Sequence, residues 1–473
     1  MDRNFIGRTE EIQILKEICD SDKAEFVAVY GRRRVGKTYL IQQFFNNAFA
    51  FSATGIIEGN REEELFTFTS ALISIGYTGP QPSNWLQAFE CLKATLDAKS
   101  HKGRCVIYID ELPCFDTPKS GFIRALGHFW NTWASLHKNV ILIVCGSATS
   151  WMIDNIINDH GGLHDRTTYT IYLRQFNLAE TETYLRSRHF IWPRQLIVEA
   201  YMMMGGIPYY LSLLKARESM AQNIDRLYFR KNAVLSQEYN RLYASLFKNP
   251  DPYLRIVEAL GNNRQGLTRS EIAATLHISS NGTLSKQLQN LESCDIVHRY
   301  STKVRGKAKF NDAYFQLTDL FSLFHLSFSH KHVPEDYWQQ HLNTPSINTW
   351  LGLAFEHVCM AHITQIRHAL GLSKIAVEYY SWRSTTTPRT QIDMIIERAD
   401  RLLNICEIKY TQSEYTITTE EDRRMRSRIA AFIRETKNTK GVIPTWITPF
   451  GLFPNEQAAT VTSQVTMDDL FHE

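Results

Sequence analysis

Short apolar runs alternate with amphipathic stretches over the first third of the chain. A strand whose residues are all apolar is buried on both faces, and such strands separated by helices are typical of a parallel sheet covered on both sides. Their crossover connections are expected to be right-handed. The pattern therefore predicts an α/β domain. Its predicted strands are 26–30, 49–53, 105–109, 140–145 and 169–173, and its predicted helices include 37–45 and 85–93.

The remaining two thirds change character at several chain breakers. Helical periodicity runs from about 178 to 243 and is interrupted at Gly205-Gly206-Ile207-Pro208. The cluster Asn249-Pro250-Asp251-Pro252 is the strongest candidate boundary. A helix predicted at 347–370 opens the last part, and strands are predicted near 376–380, 391–396 and 402–408. We therefore predict four parts, which are 1–175, 176–248, 249–332 and 333–473.

Residues 31–38, with the sequence GRRRVGKT, match the phosphate-binding pattern G-x-x-x-x-G-K-[ST] in full. Glycines let backbone N–H groups point at phosphate oxygens, and the helix that follows turns its N-terminus toward the anion. Lys37 would reach the β and γ phosphates, and the Thr38 hydroxyl would ligate Mg²⁺. The motif follows a predicted strand and precedes a predicted helix, so it predicts an ATP site. The expected nucleotide contacts are Gly31, Arg34, Val35, Gly36, Lys37, Thr38 and Tyr39.

Two carboxylates follow the predicted strand 105–109. Ligands of open α/β sheets bind at the carboxyl ends of the strands, so Asp110 would hold Mg²⁺ and Glu111 would orient or deprotonate the attacking water. Ser147 follows the next strand and would sense the γ-phosphate, unless it only ends that strand in a turn. Arg166 precedes the last strand. It would supply charge to the γ-phosphate of a neighbouring subunit, or else it is an ordinary surface arginine.

These motifs, together with Phe5-Ile6-Gly7-Arg8 and Gly206-Ile207-Pro208, occur in an order that resembles the archaeal-type ATPases. That family is a branch of the AAA+/STAND P-loop ATPases, and the resemblance covers about residues 1–245. It implies that Ile6, Gly7 and Arg8 lie against the adenine and that Pro208 belongs to a helical lid over the nucleotide. An arginine matching the second sensor of ordinary AAA+ lids is not evident in the sequence.

Residues 253–317 resemble a winged helix-turn-helix. Helices are predicted at 253–260, 267–276 and 283–293, and two strands bracket the basic segment 303–309. The basic segment would contact phosphates, although it is equally consistent with a solvated hairpin tip. Winged helices also serve as protein-interaction modules, so DNA contact is one of two interpretations. The residues that the third helix would offer to a major groove are Ser285, Lys286, Gln287, Gln289 and Asn290.

A carboxylate cluster is predicted in the last part of the chain. Glu407 and Lys409 are two residues apart on a predicted strand and so share a face, and Asp393 can meet them across a hairpin. Glu356 lies upstream on an apolar helix. Residues of these types on strands usually form exposed salt bridges, which is the structural alternative.

The same cluster resembles the PD-(D/E)xK nuclease-like fold, and more narrowly the domain of that kind that often follows archaeal-type ATPases. The resemblance implies that Asp393 and Glu407 bind Mg²⁺, that Glu356 is an auxiliary acid, and that Lys409 is the catalytic lysine of phosphodiester cleavage. Many members of this fold have lost catalysis, so a binding module without activity is the alternative.

Composition adds little to this picture. The net charge of +3 is too small to indicate nucleic-acid binding by itself, and the eight cysteines include no Cys-x-x-Cys pair, which favours reduced thiols in the cytoplasm. No apolar segment resembling a signal peptide or a membrane span is evident. We therefore expect a cytoplasmic ATP- and Mg²⁺-dependent protein that acts on nucleic acid, with DNA as the expected partner, as a candidate homo-oligomer. The alternative is a STAND-like regulatory switch whose C-terminal domain is inactive.

Overall fold

The computed structural model describes residues 5–99, 103–159, 161–263, 265–300, 313–329, 333–384 and 390–472, together with the backbone of two short strands within 301–312. The chain divides into two compact units. The first comprises Met1–Gln175 with Arg241–Pro250, and the second comprises Phe176–Asn240 with Asp251–Glu473. Within the described ranges, none of the helices combines the length and the apolar character needed to cross a bilayer.

The first unit is built on a five-stranded sheet. Its strands are β1 (Glu25–Tyr30), β2 (Phe51–Thr54), β3 (Cys105–Asp110), β4 (Val140–Gly146) and β5 (Tyr169–Tyr172). Their order is β2-β3-β4-β1-β5, and every neighbouring pair is parallel. Every residue of β3 and β4 is buried, as expected for central strands covered on both faces. The predicted parallel α/β sheet is confirmed.

Helices cover this sheet and pack on it through aromatic side chains. Phe68, Trp85, Phe89 and Phe122 are buried and contact one another edge-on or tilted. Asn60 begins its helix with a capping box that satisfies the first free N–H groups. The helices are α1 (Thr9–Asp20), α2 (Lys37–Phe44), α3 (Arg61–Ser74), α4 (Trp85–Asp97), α5 (Leu112–Phe115), α6 (Phe122–Thr132) and α7 (Thr149–Met152), with short helical turns at Ala134–Leu136 and Ile153–Ile157.

The second unit starts with a run of helices. The predicted interruption is present, because the chain leaves a helix at Met204 and starts the next at Pro208. Gly206 is required there, since a Cβ would lie 1.9 Å from the carbonyl oxygen of Phe176. The helices are α8 (Leu178–Ser187), α9 (Arg194–Met204), α10 (Pro208–Ser212), α11 (Met220–Ile224) and α12 (Val234–Leu246), with a π-helical turn at Asp225–Phe229; the part of α12 from Arg241 onward belongs to the first unit.

Three helices and a small antiparallel sheet follow. Thr268 caps the second of these helices and forms a capping box with Glu271. The elements are α13 (Asp251–Gly261), β6 (Leu267–Thr268), α14 (Arg269–Leu276), α15 (Gly282–Ser293), β7 (Val297–Tyr300), β8 (Lys303–Val304), β9 (Lys307–Ala308), β10 (Tyr314–Leu317) and α16 (Leu320–Phe324), then a π-helical turn at His325–Ser329. Strands β6, β10 and β7 form one sheet, and β8 pairs with β9.

The last part of the chain is a mixed five-stranded sheet with flanking helices. Its elements are α17 (Tyr337–His341), α18 (Pro345–Ala361), α19 (Ile363–Ala369), β11 (Val377–Arg383), β12 (Gln391–Arg398), β13 (Leu402–Ile408), α20 (Thr419–Thr436), β14 (Gly441–Thr448) and β15 (Ser463–Thr466), with short helical turns at Ala458–Thr460 and Asp468–Phe471. The strands follow their chain order. The first three are antiparallel and the last three are parallel.

The prediction of one continuous helix at 347–370 was wrong, because the structure has two helices that are separated at His362. The buried imidazole of His362 accepts a hydrogen bond at Nε2 from the backbone N–H of Leu178 (3.0 Å), so Nδ1 carries the proton and donates to the carbonyl of Val358 (2.8 Å). Burial lowers the pKa of His362 to about 4, which keeps the ring neutral for both bonds. The ring thus joins α18 to the start of α8.

A second bond makes the same connection. The Tyr410 hydroxyl, just after β13, donates to the Glu199 carboxylate on α9 at 2.7 Å. All residues of α9 from Ile197 to Met204 are buried, and this helix packs on α16 and α18. The helices that follow the first unit therefore share one core with the last part of the chain.

Candidate functional site

The loop between β1 and α2 has the backbone geometry of a tight cradle. Gly31 has φ of +141°, and a Cβ there would lie 2.4 Å from the carbonyl oxygen of Leu173. Gly36 has φ of +96°, and a Cβ there would meet no atom within 4 Å in the described part of the chain. Arg34 also adopts a positive φ of +70°. The glycines of the motif are thus required by close approach at one end and by backbone conformation at the other.

Lys37 is folded back on this loop. Its Nζ donates to the carbonyl oxygens of Gly31 (2.9 Å) and Arg32 (3.0 Å), and to the Ser147 hydroxyl (3.3 Å). The side chain is only 5% exposed. Phosphate oxygens would replace these neutral acceptors with charged ones, and charge-assisted hydrogen bonds are stronger. The structure therefore brings Lys37 and Ser147 together, as their predicted roles at the γ-phosphate require.

Thr38 and Asp110 are in direct contact. The Thr38 hydroxyl donates to Oδ2 of Asp110 at 2.8 Å, and the Asp110 side chain is 4% exposed. A hydroxyl and a carboxylate are hard oxygen donors, which suit Mg²⁺, and this ion usually takes one or two carboxylates and completes its shell with water and substrate phosphate. The pair fits the predicted magnesium site, with Thr38 and Asp110 as the protein residues that would hold the ion.

Glu111 is fixed beside this pair by an unusual backbone conformation. It has φ of +45°, which is costly for a residue with a Cβ and often occurs at functional sites. Its carboxylate accepts hydrogen bonds from the hydroxyl (2.6 Å) and the backbone N–H (3.2 Å) of Ser147. Lys37, Ser147 and Glu111 therefore form one hydrogen-bonded chain across the ends of β3 and β4. The sequence motifs did not predict the bond between Ser147 and Glu111.

The segment that follows β2 contacts the backbone of Glu111. A Cβ on Gly55 would lie 2.7 Å from the carbonyl oxygen of Glu111, so the two backbones are in close contact. The buried Glu64 carboxylate holds this segment, because Oε1 accepts the backbone N–H of Ile56 at 2.9 Å. Its other oxygen, Oε2, is buried with no hydrogen-bond partner among the described residues. Burial raises the pKa of Glu64 to about 7.

Replacing Glu64 should therefore change how stability depends on pH. A carboxyl whose pKa is higher in the folded state stabilises the fold below its unfolded pKa, and that contribution is lost as pH rises through 7. We expect the wild type to lose roughly 2 to 3 kcal/mol relative to Glu64→Gln between pH 5 and pH 8. Urea unfolding at the two pH values measures the difference. Glu62→Gln, exposed on the same helix, is the control, and an equal pH dependence in wild type and Glu64→Gln would contradict the prediction.

The N-terminal segment is tied to the phosphate-binding loop by Arg8. Its guanidinium is buried and donates to the carbonyl oxygens of Arg174 (2.7 Å) and Val35 (2.9 Å). Gly7 and Arg8 both have positive φ, which turns the chain sharply before α1. Phe5 stacks on Tyr39 with ring centroids 5.8 Å apart. Contact of Ile6, Gly7 and Arg8 with an adenine remains a prediction, and Arg8 has a structural role besides.

Two further residues with predicted roles at the nucleotide are Arg166 and Pro208. Arg166 is exposed in the turn before β5, where a neighbouring subunit would have to approach it. Pro208 belongs to the second unit and occupies the first turn of α10. Their predicted roles, as a charge donor in trans and as part of a lid, remain predictions.

The predicted carboxylates of the last part meet on the β12–β13 hairpin. Met394 pairs with Cys406, so the next positions on this ladder place Asp393 opposite Glu407. Lys409 Nζ lies 2.8 Å from Oε1 of Glu407. Asp393 and Glu356 both line one cleft, which we call the carboxylate cleft. The hairpin geometry that the sequence predicts is present.

Each of the two hairpin carboxylates has a partner that the sequence motif did not indicate. Arg428 of α20 donates to Oε2 of Glu407, so both oxygens of this carboxylate face cations. Gln391 donates through Nε2 to Oδ1 of Asp393 at 2.8 Å. Burial, followed by the nearby charge of Glu407, raises the pKa of Asp393. Gln391 lies two residues before Asp393 and was recognisable from strand alternation, whereas Arg428 is brought in only by the packing of α20.

The described side chains around Asp393 and Glu407 do not form a complete set of metal ligands. In the ranges that the structure describes, three or more His, Cys, Asp or Glu side chains are nowhere arranged to hold a metal ion. Glu356 therefore does not join Asp393 and Glu407 in one ligand set in this conformation. Two carboxylates with water would still suit Mg²⁺, so the oxygen donors of Asp393 and Glu407 are chemically compatible with it.

Helix α15 differs from the prediction at one position. Asn290 was expected to face a DNA groove, but its side chain is buried and donates to the Tyr253 hydroxyl at 2.8 Å. It packs toward α13, so the prediction for Asn290 was wrong. Ser285 accepts a hydrogen bond from Arg269 (2.8 Å), whereas Lys286 and Gln289 are exposed. Of the basic segment 303–309, the structure describes only the backbone of β8 and β9.

Comparison with known proteins places the first part of the chain. Residues 5–214 match the model of an ATPase domain found predominantly in Archaea. An uncharacterized protein of Methanocaldococcus jannaschii is 25% identical over 373 residues, which are 76% of this chain and 78% of that protein. An uncharacterized ATP-binding protein of the same organism is 46% identical over 43 residues, 9% of this chain and 73% of its own length.

A solved structure gives the same result for the fold. The Walker-type ATPase of Pyrococcus abyssi superposes with a TM-score of 0.51 at 18% sequence identity, over 69% of this chain and 97% of that chain. This likeness concerns the fold alone. Together with the match to the family model and the geometry of Lys37, Thr38 and Asp110, it leads to one conclusion. Residues 5–214 of this chain match an archaeal-type ATPase domain, and the structure has the fold of a Walker-type ATPase.

Proposed function

We propose that this protein hydrolyses ATP in order to act on nucleic acid, and that Asp393, Glu407 and Lys409 cleave phosphodiester bonds with Mg²⁺. In the ATP site, Lys37 neutralises the β and γ phosphates, and Thr38 and Asp110 hold the metal. The ion, when bound, screens the negative charge of the phosphates during transfer. Glu111 takes the proton of the attacking water, and Ser147 passes the position of the γ-phosphate to Glu111 through their hydrogen bond.

The observation that carries the nucleic-acid half is the arrangement on the β12–β13 hairpin. Asp393 and Glu407 occupy opposite positions, and Lys409 lies within 2.8 Å of Glu407. Two carboxylates beside a lysine can hold a metal and stabilise the charge that develops on a scissile phosphate. Arg428 adds a second cation on the same side. The proposal therefore assigns metal binding to Asp393 and Glu407 and charge stabilisation to Lys409.

A second candidate function is favoured by the same contacts. Both oxygens of Glu407 already face cations, so a metal ion would have to compete with Lys409 and Arg428 for this carboxylate. A regulatory switch, in which ATP controls assembly and the last part of the chain only binds, is consistent with that closed arrangement. The two functions differ in whether the cleft has an activity that can be lost.

A cleavage assay decides between them. Labelled plasmid and short oligonucleotides are incubated with Mg²⁺ or Mn²⁺, with and without ATP, and with wild type, Asp393→Ala, Lys409→Ala and Lys37→Ala. We expect Asp393→Ala and Lys409→Ala to lower cleavage by roughly 100-fold or more while ATP hydrolysis persists, because each removes a group that stabilises the transition state. Lys37→Ala should change the dependence of cleavage on ATP.

The matched control is Asp400→Ala. Asp400 lies at the turn of the same hairpin and pairs with Arg398, so its loss tests general damage to the hairpin. Cleavage by Asp400→Ala should equal that of the wild type. Intact ATP hydrolysis with no cleavage of any substrate would contradict the nuclease assignment and favour the switch.

A further inference from the structure

The carboxylate cleft has two walls that come from different parts of the second unit. One wall is the face of the small β6–β10–β7 sheet that carries Tyr300, Tyr314 and Gln316. Tyr300 and Tyr314 are direct partners on neighbouring strands, and Gln316 lies two residues further along β10, so all three share a face. The wall is therefore a continuous surface rather than a chance contact of single side chains.

The other wall carries the predicted catalytic group. Arg383 pairs with Gln391 across β11 and β12, and Asp393 follows on the same face two residues later. Glu356 of α18 closes the cleft from a third side. The space between the walls is open to solvent.

One contact joins the two walls. The Arg383 guanidinium stacks over the Tyr314 ring at 4.4 Å from its centroid, which fixes the plane of that ring. Tyr300 is 5% exposed, and burial raises the pKa of its hydroxyl, followed by the nearby charges of Tyr379, Asp393 and Glu356. The hydroxyl therefore stays protonated, and it lies near the carboxylates as a hydrogen-bond donor.

We propose that the carboxylate cleft binds one nucleotide unit of an unpaired strand, with Tyr314 and Gln316 contacting the base and Asp393 facing the sugar-phosphate. The proposal rests on the proposed action on nucleic acid and specifies its substrate. Aromatic rings and amide side chains on one wall match the face and edge of a base, as in proteins that bind single strands. Carboxylates on the opposite wall suit a metal-bridged phosphate.

An intact duplex fits this arrangement poorly. Its bases are stacked and paired, so their faces and edges are not available to Tyr314 and Gln316, and enzymes that act on a base must first extrude it. A single strand, a frayed end or an unpaired flap presents its bases without this step.

Binding measurements test the proposal without relying on cleavage. Fluorescence anisotropy of the full chain gives the Kd for a short labelled single strand and for the blunt duplex of the same sequence, with Ca²⁺ replacing Mg²⁺ and at one fixed salt concentration. We expect the single strand to bind roughly tenfold more tightly than the duplex, the equivalent of about one stacked base. Gln316→Glu should weaken single-strand binding roughly fivefold or more, because the carboxylate lacks the N–H donors that the amide offers to the base and adds a negative charge that repels the strand.

The control is Gln464→Glu, which makes the same change on an exposed position of strand β15 and should leave both Kd values unchanged. Duplex binding as tight as single-strand binding would overturn this inference and leave the proposed function standing. An unchanged Kd in Gln316→Glu would also overturn it, since the strand would then bind elsewhere. Failure of both nucleic acids to bind would overturn the proposed function together with the inference.

Discussion

Glu111→Gln should reduce ATP hydrolysis by roughly 100-fold or more while leaving ATP bound, because an amide cannot take the proton of the attacking water. The amide has the shape of the carboxylate and can still accept a hydrogen bond from Ser147, whose hydroxyl lies 2.6 Å from Glu111 in the wild type. The adjacent pair of Thr38 and Asp110 is unchanged. Phosphate release measures the rate, and binding of a fluorescent ATP analogue measures the affinity.

A comparison variant separates loss of the proton acceptor from loss of a negative charge. Glu90→Gln changes an exposed carboxylate on α4 of the same unit, which pairs only with Lys93 and His128 among the described residues. It should hydrolyse ATP at the wild-type rate. If Glu111→Gln hydrolyses ATP as fast as Glu90→Gln, Glu111 is not the group that activates water, and Asp110 becomes the next candidate.

Lys37→Ala should weaken ATP binding by roughly 10- to 100-fold, the effect of losing one or two hydrogen bonds to a charged group. The lysine is almost fully buried against two loop carbonyls and the Ser147 hydroxyl, and phosphate oxygens would replace those contacts. Without nucleotide the fold should tolerate the change, because the carbonyls can bond to water in the space left behind. Titration with the fluorescent ATP analogue measures the affinity.

Lys23→Ala is the matched control, since Lys23 is an exposed lysine of the same unit that contacts Glu25. Its affinity for ATP should be that of the wild type. Equal affinity in Lys37→Ala would mean that the loop binds phosphate through its backbone N–H groups alone. A lowered melting temperature of Lys37→Ala without nucleotide would instead show that the lysine is a structural brace.

The proximity of Lys37, Thr38, Asp110 and Ser147 could be predicted from sequence because these positions are fixed by local rules. The spacing of Gly31, Gly36, Lys37 and Thr38 is set by one loop, and each of the neighbouring parallel strands brings its end to the same edge of the sheet. This is why Asp110 and Ser147 could be identified from the position of two apolar runs. The bond between Ser147 and Glu111 was not predictable, because it depends on the positive φ of a single residue.

The carboxylate cleft shows where such prediction ends. Strand alternation was sufficient to place Asp393 opposite Glu407, and it extends to Gln391 on the same face. The contact of Arg428 with Glu407 and the second wall of the cleft depend on how separate elements pack. No short sequence pattern encodes that packing. The same limit explains Asn290, whose spacing suggests an exposed helix face but whose partner, Tyr253, lies on another helix.

The shared core of α8, α9 and the last part of the chain limits where this protein can be truncated. His362 and Tyr410 bond to α8 and α9, so deleting the C-terminal residues would leave Leu178 and Glu199 without their partners and would uncover the apolar residues of α9. A shortened chain is then expected to aggregate, for reasons unrelated to catalysis. The α8–α9 segment and the last part of the chain would also have to be inherited together. A recombination point between them would leave each segment with an apolar face that lacks its packing partner.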